Sequence, residues 1–369
     1  MDAFNLQANK GKRIAVGLSG GVDSSTALAL LHEAGADVFG LTMRIYRPGI
    51  ADDSVVSDAC YGPGEIEDVA SSEAFCRSLG VPFLSFDLSR EYEARILDYF
   101  KAEYRQGRTP NPCVRCNQEM KFGFLLDEAR SSGASFDLFA SGHYARIEPR
   151  NGIPTLRRAV DEAKDQSYFL HRLDAKILAG VLFPLGAMTK SQVRSEARRL
   201  NLPTAEKAES QDFIPGGYAS LFGDEAPGDI VDMNGKVLGR HRGIVHYTIG
   251  QRRGIGVSTG PKPLYVASID ASRNTIVLSD DSSLFCVSIE GDDLVLHDPA
   301  LYTLPFEAFV RIRQNHKPAK ALVTVSGSIA KIEFDDPQRA AAPGQSAVFY
   351  DKDGFTLGGC VILGSEKPA

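Results

Sequence analysis

Two short stretches of this chain hold residue types at spacings that suit chemistry. The first is Gly17-Leu18-Ser19-Gly20-Gly21-Val22-Asp23-Ser24-Ser25. Paired glycines let the backbone turn sharply and come close to a ligand. Asp23, Ser24 and Ser25 are helix N-capping types, and the apolar residues after them predict a helix over 24–34. Free N–H groups at such a start, backed by the helix dipole, form an anion site. The hydroxyls of Ser19, Ser24 and Ser25 add donors suited to phosphate. A capped helix after a buried strand has the same outline without a ligand. Six such positions directly after an apolar strand favour nucleotide binding. No lysine follows the glycines, so this is not the common G-x-x-x-x-G-K-[ST] loop.

The second stretch is Thr109-Pro110-Asn111-Pro112-Cys113-Val114-Arg115-Cys116. Its prolines bias the preceding residues away from helix, which predicts a loop. C-x-x-C brings two sulfurs to one point. It is half a zinc site, a dithiol pair with a low-pKa thiolate and a resolving partner, or iron–sulfur ligation. A zinc site is disfavoured, because neither a second C-x-x-C nor a histidine pair accompanies it. Inert core cysteines are the plainer reading, but a proline-rich polar loop argues against it.

These stretches need elements to position them. Apolar runs at 13–18, 37–43, 82–88 and 136–140 alternate with helical patterns at 24–34, 66–79, 91–104 and 122–129. That alternation predicts an α/β fold with a doubly wound parallel sheet. Ligands on such sheets bind beyond the C-terminal strand ends, so Ser19, Met43, Gly142 and His143 should cluster. Asn151-Gly152 marks a hairpin. A helical region is expected over 166–201, with Thr189 as an N-cap and Pro203 past its end. After about residue 210, short β-runs with frequent glycine predict two small β-rich domains, one barrel-like. The expected domains are 1–210, 211–285 and 286–369.

The whole chain sets bounds. Its 369 residues and 43% hydrophobic content suffice for two or three cores. A net charge of −6 excludes a global basic field, so any nucleic-acid surface must be local. Arg252-Arg253 and residues 311–317 have that local density. No apolar run is long enough to cross a membrane, and the first residues do not read as a secretory signal. Six cysteines are too sparse for a disulfide scaffold, which fits a reducing cytoplasm. Cys76, Cys286 and Cys360 read as core.

Five blocks occur in order: 19–25, 109–117, Ala140-Ser141-Gly142-His143-Tyr144-Ala145-Arg146, Lys164-Asp165-Gln166-Ser167-Tyr168, and Tyr247-Thr248-Ile249-Gly250-Gln251-Arg252-Arg253-Gly254. The first resembles the PP-loop of ATP pyrophosphatases. Together, reaching Gln345, they resemble the tRNA-specific 2-thiouridylase family. The resemblance implies that ATP adenylates the 2-oxygen of the wobble uridine of tRNA, pyrophosphate leaves, and a sulfur nucleophile displaces AMP. It implies that residues 17–25, Met43 and Gly142 bind ATP, with Asp23 placing Mg2+. It assigns tRNA contacts to Asn111, Pro112, Cys113, His143, Lys164, Asp165, Gln166, Arg311, Ile312 and Gln345, and the catalytic thiol to Cys116. An upstream sulfur-donor protein or sulfide is the further partner implied.

The chain departs from the family pattern at two places. Many members carry aspartate at the position of Cys113. Many also carry a second cysteine just after an element that here reads Ser210-Gln211-Asp212-Phe213, and this chain has none between Cys116 and Cys286. Cys113 then partners Cys116 as a dithiol, or Cys60, Cys113 and Cys116 hold a [4Fe-4S] cluster as in some related sulfur-inserting enzymes. Two other readings stand beside this one: a PP-loop ligase or amidotransferase acting on a small metabolite, and a non-catalytic tRNA-binding protein.

Overall fold

The computed structural model describes residues 6–50, 59–208, 213–214, 217–257 and 262–367. The chain divides into two compact units. One comprises residues 1–96 and 113–220, the other 97–112 and 221–369.

The first unit is built on a parallel sheet. Its strands are β1 (Arg13–Gly17), β2 (Asp37–Arg44), β3 (Phe83–Asp87), β4 (Leu138–Ser141) and the two-residue β7 (Val181–Leu182), in the order β3-β2-β1-β4-β7. All four pairings are parallel. The expected α/β sheet is therefore the observed one. Central strands buried on both faces read as apolar runs, and Ile14, Ala15 and Val16 are fully buried. The sheet is covered by α1 (Val22–Glu33) and α2 (Glu65–Leu79), and α2 stops on the left-handed Gly80. Their shared core includes Leu28, Leu31, Phe75 and Cys76.

Two sequence expectations need correction here. The C-x-x-C segment is helical. A helical run over residues 112–131 (α4) begins at Pro112, passes through a π-helical stretch at Cys116–Phe124, and ends at Ser131. Proline is well suited to the first turn, because its missing N–H has no partner there to lose. The second correction concerns 166–201. That region is not one helical block. It holds short helices at Ser167–Leu170 and Ala175–Leu178, then strand β7, then α5 (Lys190–Arg199). Gly180 O accepts from Phe139 N at 2.9 Å, which draws β7 into the sheet against helical propensity. The hairpin β5 (Ala145–Arg150) and β6 (Ile153–Arg158) turns at Asn151-Gly152 with both residues at positive φ.

The second unit is β-rich. β8 (Gly228–Asp232), β9 (Val237–His241), β10 (Tyr265–Asp270) and β11 (Thr275–Ser279) form a four-stranded sheet. β12 (Phe285–Leu296), β13 (Phe306–Arg311), β14 (Ala319–Ser326), β15 (Ile329–Arg339), β16 (Ser346–Tyr350) and β17 (Thr356–Glu366) close into a barrel. Closure removes sheet edges, and alternation sends Val310, Val323, Ile332 and Phe349 inward. Cys286 and Cys360 lie in this core, as their segments suggested. The residues before the C-x-x-C belong to this unit. Thr109 N donates to Pro343 O at 2.7 Å, and Gln345 Nε2 donates to Thr109 O at 3.0 Å.

No helix among the described residues is long and apolar enough to cross a membrane. The barrel core sets one expectation. Ile332→Ala removes a fully buried side chain and should cost about 2–5 kcal/mol, read by urea unfolding. A cost within experimental error of zero would show that this position is not packed as described.

Candidate active site

The loop 18–21 joins β1 to α1 at the C-terminal edge of the parallel sheet. Helix α1 is capped by Gly21, which has no side chain to offer its first N–H groups. The capping expected of Asp23, Ser24 and Ser25 does not occur; they lie inside the first turn. The Ser24 and Ser25 hydroxyls donate back to Gly21 O at 3.2 and 3.0 Å. Ser24 Oγ also accepts from Ser19 N at 3.2 Å, which tightens the loop. The helix start is thus left to an external anion. Leu18 and Val22 are buried, so only their backbone faces the loop's ligand side.

Three glycines set the loop's shape by what they exclude. Gly17 lies under the ring of Phe139, and Gly20, at φ +70°, lies against the Asp68 carboxylate. Gly142 follows β4 directly. A Cβ there would sit 2.7 Å from Ser24 N and 2.8 Å from the Asp23 carbonyl carbon. Met43, half-buried near the end of β2, completes the strand-end group. Ser19, Met43 and Gly142 therefore lie at adjacent strand ends of one sheet, and His143 follows Gly142 directly.

Asp23 is the most constrained side chain of the loop. Its two oxygens each accept from Lys190 Nζ at 2.8 Å, and Oδ1 also accepts from Tyr144 Oη at 2.8 Å. The ammonium lies 5.7 Å from the Tyr144 ring centre. On the other side of the loop, Lys207 Nζ donates to Gly20 O at 3.2 Å and pairs with Asp68. Sequence reasoning missed both lysines, which lie far along the chain from the glycine loop. One signal was present for Lys190. A cation in the first turn of a helix opposes the helix dipole, so it needs a local reason.

The block 164–166 braces this arrangement. Asp165 is fully buried. Its carboxylate accepts from Ala159 N and Ser167 N at 3.0 and 3.2 Å, and from Ser167 Oγ at 3.0 Å. Asp165 thus holds the turn that carries Lys164 and Gln166. Gln166 grips the Tyr144 backbone both ways: its side-chain carbonyl accepts from Tyr144 N at 2.9 Å, and its N–H donates to Tyr144 O at 2.8 Å. Lys164 remains half-exposed.

Cys113 and Cys116 stand one turn apart on α4, and Cys60 lies in the loop after β2. All three thiols are free. They are near enough that Cys60 acts electrostatically on both others, and all three act on the buried Tyr92 hydroxyl. Burial pushes the Cys113 thiol up to about 12, with Cys60 and Cys116 adding to it. Burial pushes Cys116 up to about 11, opposed by Lys121. Both shifts run opposite to the low-pKa thiolate expected of a C-x-x-C pair. The reason is desolvation that one nearby lysine does not offset. Among the described residues, no three His, Cys, Asp or Glu side chains are grouped to hold a single metal ion. The element around Ser210-Gln211-Asp212 lies outside the described residues. Phe213 just beyond it accepts from Tyr61 N at 3.1 Å, beside Cys60.

His143 is held between the rings of Phe122 and Phe183, and its Nδ1 lies 2.8 Å from Ser141 Oγ. Burial, then Lys121, holds its imidazole well below the ordinary histidine range, so it stays neutral. In the second unit, Arg311 and Ile312 are 4% and 1% exposed. Ile312 packs into the barrel core. Arg313, Lys317, Arg252 and Arg253 are the exposed cations of those segments. Gln345 points its amide at Thr109 and Pro110, directly before half-buried Asn111 and buried Pro112, so it positions that turn.

Comparison with known proteins fits this geometry. A family model described as the tRNA methyl transferase HUP domain matches residues 12–215. A PRC-barrel domain model of the same family matches 220–280, and one described as an aminomethyltransferase beta-barrel domain matches 288–362. A tRNA-specific 2-thiouridylase MnmA of Endomicrobium trichonymphae is 43% identical over 357 residues, covering 95% of this chain and 99% of that protein. One from Pelobacter propionicus is 43% identical over 367 residues, covering 96% and 99%. The chain belongs to the tRNA-specific 2-thiouridylase family. A solved 4-thiouridine synthetase–RNA complex with bound ATP is similar at 17% identity and a TM-score of 0.31, covering 57% of this chain and 47% of that one.

Two outcomes follow for this member of the thiouridylase family. Gly142→Ala drives a methyl into the backbone of Asp23 and Ser24, so nucleotide affinity should fall at least about tenfold while circular dichroism stays native. Unchanged affinity would show that the loop is not seated against β4. In metal-free protein, alkylation of Cys113 and Cys116 by iodoacetamide should rise about tenfold per pH unit between pH 7 and 10, because the thiolate is the reactive form. A plateau below pH 9 would contradict the raised thiols.

Proposed function

We propose that this chain is an ATP-dependent tRNA-uridine 2-sulfurtransferase that acts on the wobble uridine, position 34, and carries its sulfur at a three-thiol centre. Membership of the 2-thiouridylase family over nearly the whole length carries the reaction class. The juxtaposition of Cys60, Cys113 and Cys116 carries the sulfur chemistry.

The loop 17–25 receives the ATP phosphates through the uncapped start of α1, with Met43 and Gly142 flanking the nucleotide. The 2-oxygen of uridine attacks the α-phosphorus, and the bond to the β-phosphate oxygen breaks to release pyrophosphate. A sulfur nucleophile then attacks C2, and the oxygen leaves with AMP. One carboxylate beside loop hydroxyls suits a magnesium that brings phosphate and water ligands of its own. Asp23 would hold it, and bound magnesium neutralises the departing pyrophosphate. The base must leave its stack to be reached. Neutral His143 offers a hydrogen bond without a charge. Lys164, Arg252, Arg253, Arg313 and Lys317 supply backbone contacts.

Three cysteine sulfurs, once deprotonated, are the soft donors that suit an iron–sulfur cluster. A cluster spaces its ligands wider than a single ion does. Cys60, Cys113 and Cys116 would hold it, and a cluster bound there would supply sulfide-level sulfur for the reaction. Cys60 thus stands in for the cysteine that other members carry in the 210s. The division at residues 210 and 285 belongs to the same reading, with the first part activating uridine and the two β-rich parts gripping tRNA. A cytoplasmic setting, with sulfide from an upstream donor, follows from the tRNA substrate. A ligase for a small metabolite has no use for three thiols beside the loop.

The test is anaerobic purification with iron and sulfide analysis, followed by mass spectrometry of 2-thiouridine. Wild type should hold about four iron atoms per chain. Cys60→Ser, Cys113→Ser and Cys116→Ser should each lose iron and thiolation together. Iron-free protein that thiolates tRNA without Cys60 would replace the cluster with a Cys113–Cys116 dithiol. Failure of wild type to thiolate with ATP, tRNA and sulfide supplied would overturn the function.

A further inference from the structure

Lys190 has no role in the chemistry above, yet it is the side chain most tightly joined to the loop. Its ammonium sits 2.8 Å from both oxygens of Asp23. Its own backbone is fixed. Lys190 N donates to Asp161 Oδ2 at 2.9 Å, and Thr189 caps α5 in a reciprocal pair with Gln192. Only the flexible side chain is left to move. The Lys190 side chain is 13% exposed and that of Asp23 is 30% exposed, so the pair is open to solvent on the Asp23 side.

We propose that Lys190 is a phosphate-binding residue of the reaction, held in reserve on Asp23 until nucleotide arrives. In the empty protein the ammonium neutralises Asp23 and prevents its repulsion of a polyphosphate. When magnesium and ATP load, the cation displaces the ammonium from the carboxylate. Lys190 then turns to oxygens of the β- and γ-phosphates, the group that departs as pyrophosphate. Tyr144 stays on Oδ1 throughout and keeps the carboxylate aimed. This explains why a lysine stands in the first turn of α5 against the helix dipole. No bond is made or broken in the exchange.

The inference rests on ATP binding at loop 17–25, and the experiment separates the two. Binding is measured by calorimetry on the full chain without tRNA, using ATP with magnesium, pyrophosphate with magnesium, and AMP. Wild type that binds no ATP would refute the loop assignment itself. Given wild-type binding, Lys190→Met should weaken ATP and pyrophosphate by at least about tenfold and leave AMP within about twofold. Lys190→Arg should recover most of the loss. A merely structural lysine would weaken ATP and AMP alike, and that result, or no change in ATP, overturns the proposal. If Lys190→Met does not fold, acetylation of wild type decides. Magnesium pyrophosphate should change the labelling rate of Lys190, read by mass spectrometry, and AMP should not. Equal rates in all three states overturn the proposal.

Discussion

The carboxylate of Asp23, caught between the Tyr144 hydroxyl and the Lys190 ammonium, is the contact on which the nucleotide half of the molecule depends. It ties the glycine loop after β1 to the hairpin start after β4 and to the first turn of α5. Each partner is itself held. Gln166 fixes the Tyr144 backbone, Asp165 fixes Gln166's neighbours, and Asp161 fixes Lys190. The chain from Asp161 to Ser167 thus acts on the loop through two intermediaries. A block that looks like a binding motif in sequence works here first as a brace. Partly buried ion pairs of this kind are strongly costly to break on one side, because the remaining charge loses its partner.

The sulfur half depends on a different constraint, desolvation. Helix α4 begins at Pro112, so half-buried Cys113 and Cys116 stand one turn apart on it, both acting on the buried Tyr92 hydroxyl. In water-poor surroundings a thiolate is disfavoured, and a third thiol nearby makes it more so.

The parallel sheet was legible because buried strands and glycine-terminated helices carry strong local signals at Ile14–Val16 and at Gly80. The glycine loop was legible because six positions follow one strand without a gap. Lys190 was not, since nothing in local pattern links residues 167 apart in sequence. The helix through Cys113 was hidden by two prolines that signal loop, one of which starts the helix instead. Arg311 alternates with the inward Val310 and Ile312, so it lies on the other face of β13, yet it is buried there where charge alone suggests an open surface. Gln345 was placed among contacts for tRNA, but its amide closes the turn at Thr109 that leads into Asn111 and Pro112.

The central step of the proposed function is cleavage of ATP between its α- and β-phosphates at the loop, which activates a tRNA base. The most direct measurement is product analysis with ATP labelled at the α- and γ-phosphates, with and without tRNA bearing uridine at position 34. AMP and pyrophosphate should appear in equal amounts, formed only with that tRNA and matched by 2-thiouridine. ADP and orthophosphate, or AMP released equally without tRNA, would contradict it.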